Sequence, residues 1–288
     1  LVKYKLFSSV KLSKTLIIRS AFFISSAAET SSMEYSDSVY PQGSFCLAAL
    51  LRGKDVKVNG ARTGVNVALR RGDEVVYYTT SKQEEKPSHN PVYEDENVYI
   101  ADKFSGVSSE GLFCELCGKG EFYAVHRLDR NTQGLIVYAK NKLAEGELLS
   151  AFREGKIHKT YYAVCKNAFR QKSAKLTAYL VKEGDKVKVY PSPRAGALTA
   201  VTEYSVEEER GDTALVKINL HTGRTHQIRA HMAFIGCPVL GDEKYGDREL
   251  NKKYSAKRQR LTAKYISFGL DGGLGYLNGK SFVSAFDF

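Results

Sequence analysis

Asp129 stands between Arg127 and Arg130 in the run Val125-His126-Arg127-Leu128-Asp129-Arg130-Asn131-Thr132-Gln133-Gly134-Leu135. Nearby positive charge favours a carboxylate over its acid. A carboxylate in a cationic pocket is a candidate nucleophile for a substrate that arrives carrying phosphates. The same spacing suits a surface ion pair on a loop, because structural pairs imitate sites. The apolar run Leu135-Ile136-Val137-Tyr138-Ala139 predicts that this loop leads into a strand.

A second constellation is Leu220-His221-Thr222-Gly223-Arg224-Thr225-His226-Gln227-Ile228-Arg229-Ala230-His231. Its three histidines recur every five residues. On a helix that step turns each by about 140° from the last, so they do not share a face as metal ligands would, and no metal is expected. The turn at Thr222-Gly223 is expected to open a helix over residues 225–234, aiming backbone N–H groups and Arg224 at phosphate. Tyr161, in the strand-like run Lys159-Thr160-Tyr161-Tyr162-Ala163-Val164, reads on its own as an ordinary sheet residue. Cys114 and Cys117 make a lone CxxC with no second pair or neighbouring histidine, too little for a zinc or redox site. Gly279-Lys280-Ser281 lacks the earlier glycine of a phosphate-binding loop, since Leu274 stands there. The glycine-rich stretch after Asp271 reads as a C-terminal turn. Lys252, Lys253, Lys257, Arg258 and Arg260 form a basic cluster that suits either an RNA-contact loop or a solvated insert.

Taken in order, these segments resemble the motifs of the RluA-type RNA pseudouridine synthases. His126-Arg127-Leu128-Asp129 with Thr132 and Gly134 is similar to the family's HRLD-x-x-T-S-G-L, with Gln133 in the serine place. Lys159-Thr160-Tyr161 resembles its K-x-Y strand. Thr222 to His231 is similar throughout to TGRTHQIR-x-H, and Gly236 to Gly246 resembles GxPIxGDxxYG with Val239 in the isoleucine place. The resemblance covers residues 93–269 and implies an enzyme that detaches uracil from ribose, rotates it and rejoins it through carbon 5. That isomerisation has no net redox change or hydrolysis, so no cofactor is expected. The resemblance implies Asp129 as the catalytic carboxylate and Arg229 as the ion-pair partner that orients it. Tyr161 would stack on the target base, with its hydroxyl a late acid or base. Arg127 would fill the space left by the flipped nucleotide, and His126, Thr132, Arg224 and His226 would bind substrate. Large-subunit rRNA is the first expected target and tRNA the second. The rival reading is a catalytically silent RNA-binding or ribosome-assembly protein that keeps the fold. A hydrolase using Asp129 would need a second carboxylate or a metal.

Composition agrees with an anionic partner. Among 288 residues, 43 Lys and Arg oppose 32 Asp and Glu, a formal net charge of +11, which favours nucleic acid or a membrane surface. No apolar run reaches the roughly 18 residues of a membrane span. The longest, residues 16–28, is broken by Arg19 and serines, so RNA and not a membrane is expected. Lys3 and Lys5 before apolar residues are faintly signal-like, a reading the same Arg19 argues against. Five irregularly spaced cysteines fit a reducing cytoplasm, and a monomer is the expected state.

The elements that must position these residues are mostly strands. Residues 97–103, 157–166, 176–181, 186–190, 198–206, 213–220 and 261–268 are β-rich, with a hairpin around Glu183-Gly184-Asp185. A helix is expected over residues 142–153 behind an Asn141 cap. The pattern predicts a mixed α+β catalytic domain with a largely antiparallel sheet over residues 93–288. Residues 81–92, inside the polar stretch from Thr79 to Asn90, are expected to be a linker, and Ser25 to Ser38 a loop. Upstream, a short helix over residues 47–52, a strand into the Asn59-Gly60 turn and a strand after Gly72-Asp73 resemble the small RNA-binding domain named after ribosomal protein S-four, over residues 1–80. That resemblance implies phosphate contacts from Arg52, Lys54 and Lys57, with Arg62, Arg70 and Arg71 beside them.

Overall fold

Short polar turns between alternating apolar runs make hairpins, and hairpins dominate this chain. The computed structural model describes residues 5–12, 15–23, 30–32, 36, 47–80, 87–184 and 186–287. It forms two compact units, one drawn from residues 1–88 and 106–121, the other from residues 89–105 and 122–288.

In the first unit, strands β1 (Lys5–Leu12), β2 (Thr15–Phe23), β4 (Val56–Val58), β5 (Ala61–Thr63) and β7 (Glu74–Thr80) form an antiparallel sheet in the order β1-β2-β7-β4-β5, while β3 (Thr30–Ser31) pairs with β6 (Ala68–Leu69). Helix α1 (Leu47–Gly53) packs Leu47, Leu50 and Leu51 against Val56, Leu69, Val75 and Tyr77. Asn59 and Gly60 both have positive φ, 50° and 81°, the geometry of a tight hairpin turn and the reason an Asn-Gly pair sits between β4 and β5. Helix α2 (Ser109–Cys117) is capped by the Ser108 hydroxyl, which accepts from Gly111 N–H. Within the expected Ser25 to Ser38 loop, Thr30 and Ser31 form β3; the rest of that stretch apart from Ser32 and Ser36, and residues 81–86 of the expected linker, lie outside the described residues.

The second unit contains β8 (His89–Glu94), β9 (Val98–Lys103), β10 (Tyr123–Ala124), β11 (Gln133–Ala139), β12 (Ile157–Lys166), β13 (Ser173–Glu183), β14 (Lys186–Tyr190), β15 (Leu198–Arg210), β16 (Thr213–Leu220), β17 (Leu261–Phe268) and β18 (Ser281–Val283). Their order is β14-β13-β15-β16-β12-β17-β11-β9-β8, with β10 on β11 and β18 on β17. Only β11 and β17 pair in parallel; the other described pairs are antiparallel. Helix α3 (Lys142–Arg153) begins where Asn141 Oδ1 accepts the Ala144 N–H at 2.9 Å. It seats Ala144, Leu148 and Ala151 in a core with Val98, Ile100, Leu135, Val137, Ile266 and Phe268. Each large side chain buried there stabilises by about 1.5–3 kcal/mol. Helices α4 (Gln227–Phe234) and α5 (Arg248–Lys253) complete the unit. The fold is mixed α+β with a largely antiparallel sheet.

Three expectations change. Strand β8 starts at His89, inside the expected linker; Pro91 is tolerated because β8 is the sheet edge and a register shift follows at Tyr93. The glycine-rich stretch after Asp271 is a 3₁₀ helix, Gly272–Leu277, not a plain turn. It holds because Leu274 and Leu277 are buried and the Glu147 carboxylate of α3 accepts the Leu274 N–H at 2.9 Å. The basic cluster is partly helical, in α5, where Lys253 pairs with Asp212 at 2.6 Å. No helix among the described residues is long and apolar enough to cross a membrane.

Candidate active site

The loop carrying Asp129 is fixed mainly through its backbone. Thr132 N–H closes a turn onto the Asp129 carbonyl at 3.0 Å. The fully buried Lys103 donates to the carbonyls of Phe104 and Arg130, both at 3.2 Å, and Ser105 Oγ donates to the Asn131 carbonyl at 3.0 Å. Gln259 Nε2 donates to Thr132 Oγ1 at 3.0 Å. Next to them Gln133 Nε2 donates to Thr262 Oγ1 at 3.0 Å, directly across the parallel pairing of β11 and β17. Gly134 has φ 110°, and a Cβ there would lie 2.4 Å from the Ala263 carbonyl oxygen, so only glycine permits the strands to approach. Lys103 and Gln259 escaped the sequence reading, since a lysine ending a strand and a glutamine in a basic cluster carry no local signal of long-range bonding.

The Asp129 carboxylate accepts from Arg229 Nη1 at 3.0 Å. The rest of that guanidinium is claimed by Asp242, through Nε at 2.7 Å and Nη2 at 2.9 Å. Asp242 is 2% exposed and also accepts the N–H groups of Lys244 and Tyr245. Burial pushes its carboxyl up, but Arg229 and the two backbone donors outweigh that and hold it below the usual range. Burial likewise disfavours the charged Arg229, and the two carboxylates reverse this, with the Tyr245 ring beneath the guanidinium at 5.1 Å. Asp242 thus neutralises Arg229 through a bidentate pair, leaving Nη1 as a fixed donor to Asp129. The sequence reading assigned Asp242 no role, although it lies in the quoted Gly236 to Gly246 motif; its distance from Arg229 is decided by the loop's path.

His226 precedes α4 with a left-handed φ of 52°. Its Nδ1 lies 2.9 Å from Tyr245 Oη, which accepts the Val187 N–H at 2.6 Å, and its Nε2 lies 4.0 Å from Asp129 Oδ2. A Tyr245 O–H donating to Nδ1 puts the ring proton on Nε2, facing the carboxylate. Burial first, then the Arg229 and Lys244 charges, lowers the His226 pKa, with Asp129 and Asp242 opposing. Tyr161 lies in β12 between Ile218 of β16 and Ala263 of β17, and is 5% exposed. Burial, then the Asp129 charge, raises its phenol, so it stays protonated: it can donate a hydrogen bond but is a poor base.

Asp129, Tyr161, Arg229, His126, Arg127, Thr132, Arg224 and His226 all line one cavity of about 470 Å³, together with apolar Val125, Leu149, Phe152, Leu220 and Leu261. That volume suits a nucleotide-sized ligand. Several expected binding roles change in detail. Thr132 is 3% exposed and its hydroxyl is used by Gln259, so it braces the loop. His126 Nε2 accepts the Val137 N–H at 2.9 Å, and burial, aided by the Lys159 charge, holds its pKa well below the ordinary value, so it is no cation for phosphate. Helix α4 starts at Gln227, later than expected. The Gln227 side chain accepts both the Arg224 N–H and the Thr222 hydroxyl, so that backbone donor is not left for phosphate. The exposed Arg224 guanidinium bonds the Thr199 carbonyl from Nε at 3.1 Å. The three histidines diverge: His221 to Glu203, His226 to Tyr245 and His231 to Thr202. Arg52, Lys54 and Lys57 belong to the first unit, where Arg52 and Lys54 are exposed. Lys57 and its cross-strand partner Arg62 both lie over the Tyr78 ring, at 5.7 and 5.6 Å.

Comparison with known proteins accords with this geometry. Residues 114–234 match the family model described as RNA pseudouridylate synthase. An uncharacterized RNA pseudouridine synthase of Bacillus subtilis (strain 168), YjbO, is 30% identical over 237 residues, covering 75% of this chain and 82% of the relative. The ribosomal large subunit pseudouridine synthase C of Vibrio cholerae is 30% identical over 250 residues, covering 76% of this chain and 78% of that protein. The structure of human RNA pseudouridylate synthase domain containing 1 shares the fold, with a TM-score of 0.57 at 24% identity over 69% of this chain and 83% of that one. With the motif loops folded around one cavity and relatives matched over most of their length, the chain belongs to the RluA-type family of RNA pseudouridine synthases.

Proposed function

We propose that this enzyme converts uridines of large-subunit ribosomal RNA to pseudouridine, with Asp129 as the catalytic carboxylate acting on the ribose or the base. The observation that carries the assignment is the Arg229 Nη1 to Asp129 Oδ2 bond of 3.0 Å, on the wall of a cavity that also holds Tyr161. Arg229 fixes the carboxylate in one orientation, and holding a reactive group in its attacking geometry is a large share of rate enhancement. Tyr161 offers its ring to the flipped base, a stack worth about 1–3 kcal/mol. Apolar walls from Val125, Leu149, Phe152 and Leu261 keep water from the detached uracil. Large-subunit rRNA is favoured as the target by the similarity to the Vibrio cholerae ribosomal large subunit pseudouridine synthase C.

Residues 1–80 would serve as an S-four-type RNA-binding domain, with Arg52, Lys54 and Lys57 on phosphates, and residues 93–288 as the catalytic domain. A cytoplasmic monomer is the working state, in keeping with an odd number of irregularly spaced cysteines and an RNA substrate. The test is pseudouridine mapping after incubation with bulk rRNA and tRNA. Asp129→Asn should lower the single-turnover rate by about 10³-fold or more while RNA binding is retained. Wild-type rates in that variant, or modification confined to tRNA, would overturn the corresponding half of the proposal.

A further inference from the structure

Two residues that line the cavity carry hydrogen-bond donors with no protein acceptor among the described residues. His126 spends its Nε2 lone pair on the Val137 N–H, which leaves the ring proton on Nδ1, and Nδ1 is buried without a partner. Lys159 precedes Tyr161 by two residues and so shares its face of β12. Its ammonium lies 5.0 Å from the centre of the Phe152 ring, and no carboxylate pairs with it among the described residues. Burial brings the Lys159 pKa down to about 8, and its charge in turn helps to keep His126 neutral. A partly desolvated cation without a counter-ion is disfavoured, and such groups gather at functional sites. Phosphate is the poorer match for Lys159, which is half-buried beside His126 and Phe152, whereas the exposed Arg127, Arg153 and Arg224 stand where a backbone would pass.

We propose that Lys159 is a further catalytic residue, placing its ammonium on a carbonyl oxygen of the flipped uracil and stabilising the negative charge the ring carries while detached. The assignment rests on the cavity being the uridine site. When the bond from ribose C1′ to N1 breaks, its electron pair stays with uracil, spread over N1 and the carbonyl oxygens. After rotation C5 supplies the pair that rebuilds the bond to C1′, C5 loses its proton and N1 gains one, so no oxidant or reductant enters. A fixed cation on the oxygen acts where charge develops, as an oxyanion donor does.

The test uses the full chain and an RNA bearing a site that the wild-type protein converts, with uridine, 2-thiouridine or 4-thiouridine at the target. Sulfur is a weak acceptor, so one thio substitution should slow the wild type by about tenfold or more. Lys159→Met should slow conversion of uridine by about 10²-fold, leave RNA affinity unchanged, and be insensitive to that same thio substitution. Lys159→Gln, measured beside it with an unfolding curve for each, guards against a folding defect. The wild-type rate should fall as pH rises through about 8, where Lys159 loses its proton. Lys159→Arg should carry the rate to higher pH. His126 titrates well below that limb and Tyr161 above it, and the exposed Arg153 is a further cation lining the same cavity. The proposal is overturned if Lys159→Met converts uridine at the wild-type rate, if it keeps the full thio effect, or if it weakens RNA binding with the rate unchanged. A wild-type protein that forms no pseudouridine in plain RNA would instead sink the reading of the pocket, and this assignment with it.

Discussion

Replacing Asp242 by Asn tests whether the role proposed for Asp129 depends on its being held in place. Asp242 makes two bonds to Arg229, at 2.7 and 2.9 Å, and its side chain is fully buried. Breaking a buried ion pair from one side costs about 3–5 kcal/mol. The isosteric amide can still accept the N–H groups of Lys244 and Tyr245, and Arg229 keeps Asp129 as a partner, so the expected loss is about 2–3 kcal/mol. Urea unfolding at pH 7 measures it. With one fewer tether on the guanidinium, Asp129 loses its fixed orientation, and the single-turnover rate should fall by about 10- to 100-fold at unchanged RNA affinity. The pH dependence has a definite sign. The Asp242 pKa is lowered in the folded protein, so its stabilisation is complete above the unfolded value of about 4 and is lost as pH falls through the folded one. Asp242→Asn should lack that component of the acid-side loss. A variant as stable as the wild type, or one destabilised but fully active, would refute the argument that the buried pair positions the carboxylate.

Two further substitutions probe the loop. Gly134→Ala places a Cβ 2.4 Å from the Ala263 carbonyl at a φ of 110° and should destabilise by about 3 kcal/mol or more, read as a lowered melting temperature; an unchanged midpoint would mean that β11 and β17 do not approach in parallel there. Gln133→Ser restores the residue usual in the family motif. It removes only the bond to Thr262, so unfolding should shift by about 0.5–1.5 kcal/mol with turnover unchanged, and a large loss of activity would contradict a bracing role for Gln133.

Much of this protein is written locally. The Asn141 cap, the Asn59-Gly60 turn and the period-two runs of β12 and β16 specify their elements because capping, turn geometry and side-chain alternation act over a few residues. The motif residues likewise announced the family, and eight of the expected site residues line a single cavity. What the sequence left open are relations between segments far apart in the chain. That Asp242 neutralises Arg229, that Lys103 and Gln259 brace the Asp129 loop, and that Gln227 consumes the donor of Arg224 all depend on partners brought together by the sheet order or by a loop's path. The charge state of a group is decided the same way. Lys159 and His126 carry no sign of their charge state in the sequence, and only burial on a shared wall lowers the lysine pKa to about 8 and holds the histidine neutral. Residue types and spacing thus determined which chemistry the chain carries, whereas desolvation and long-range pairing, properties of the folded state alone, decided which of those residues act and which hold the others in place.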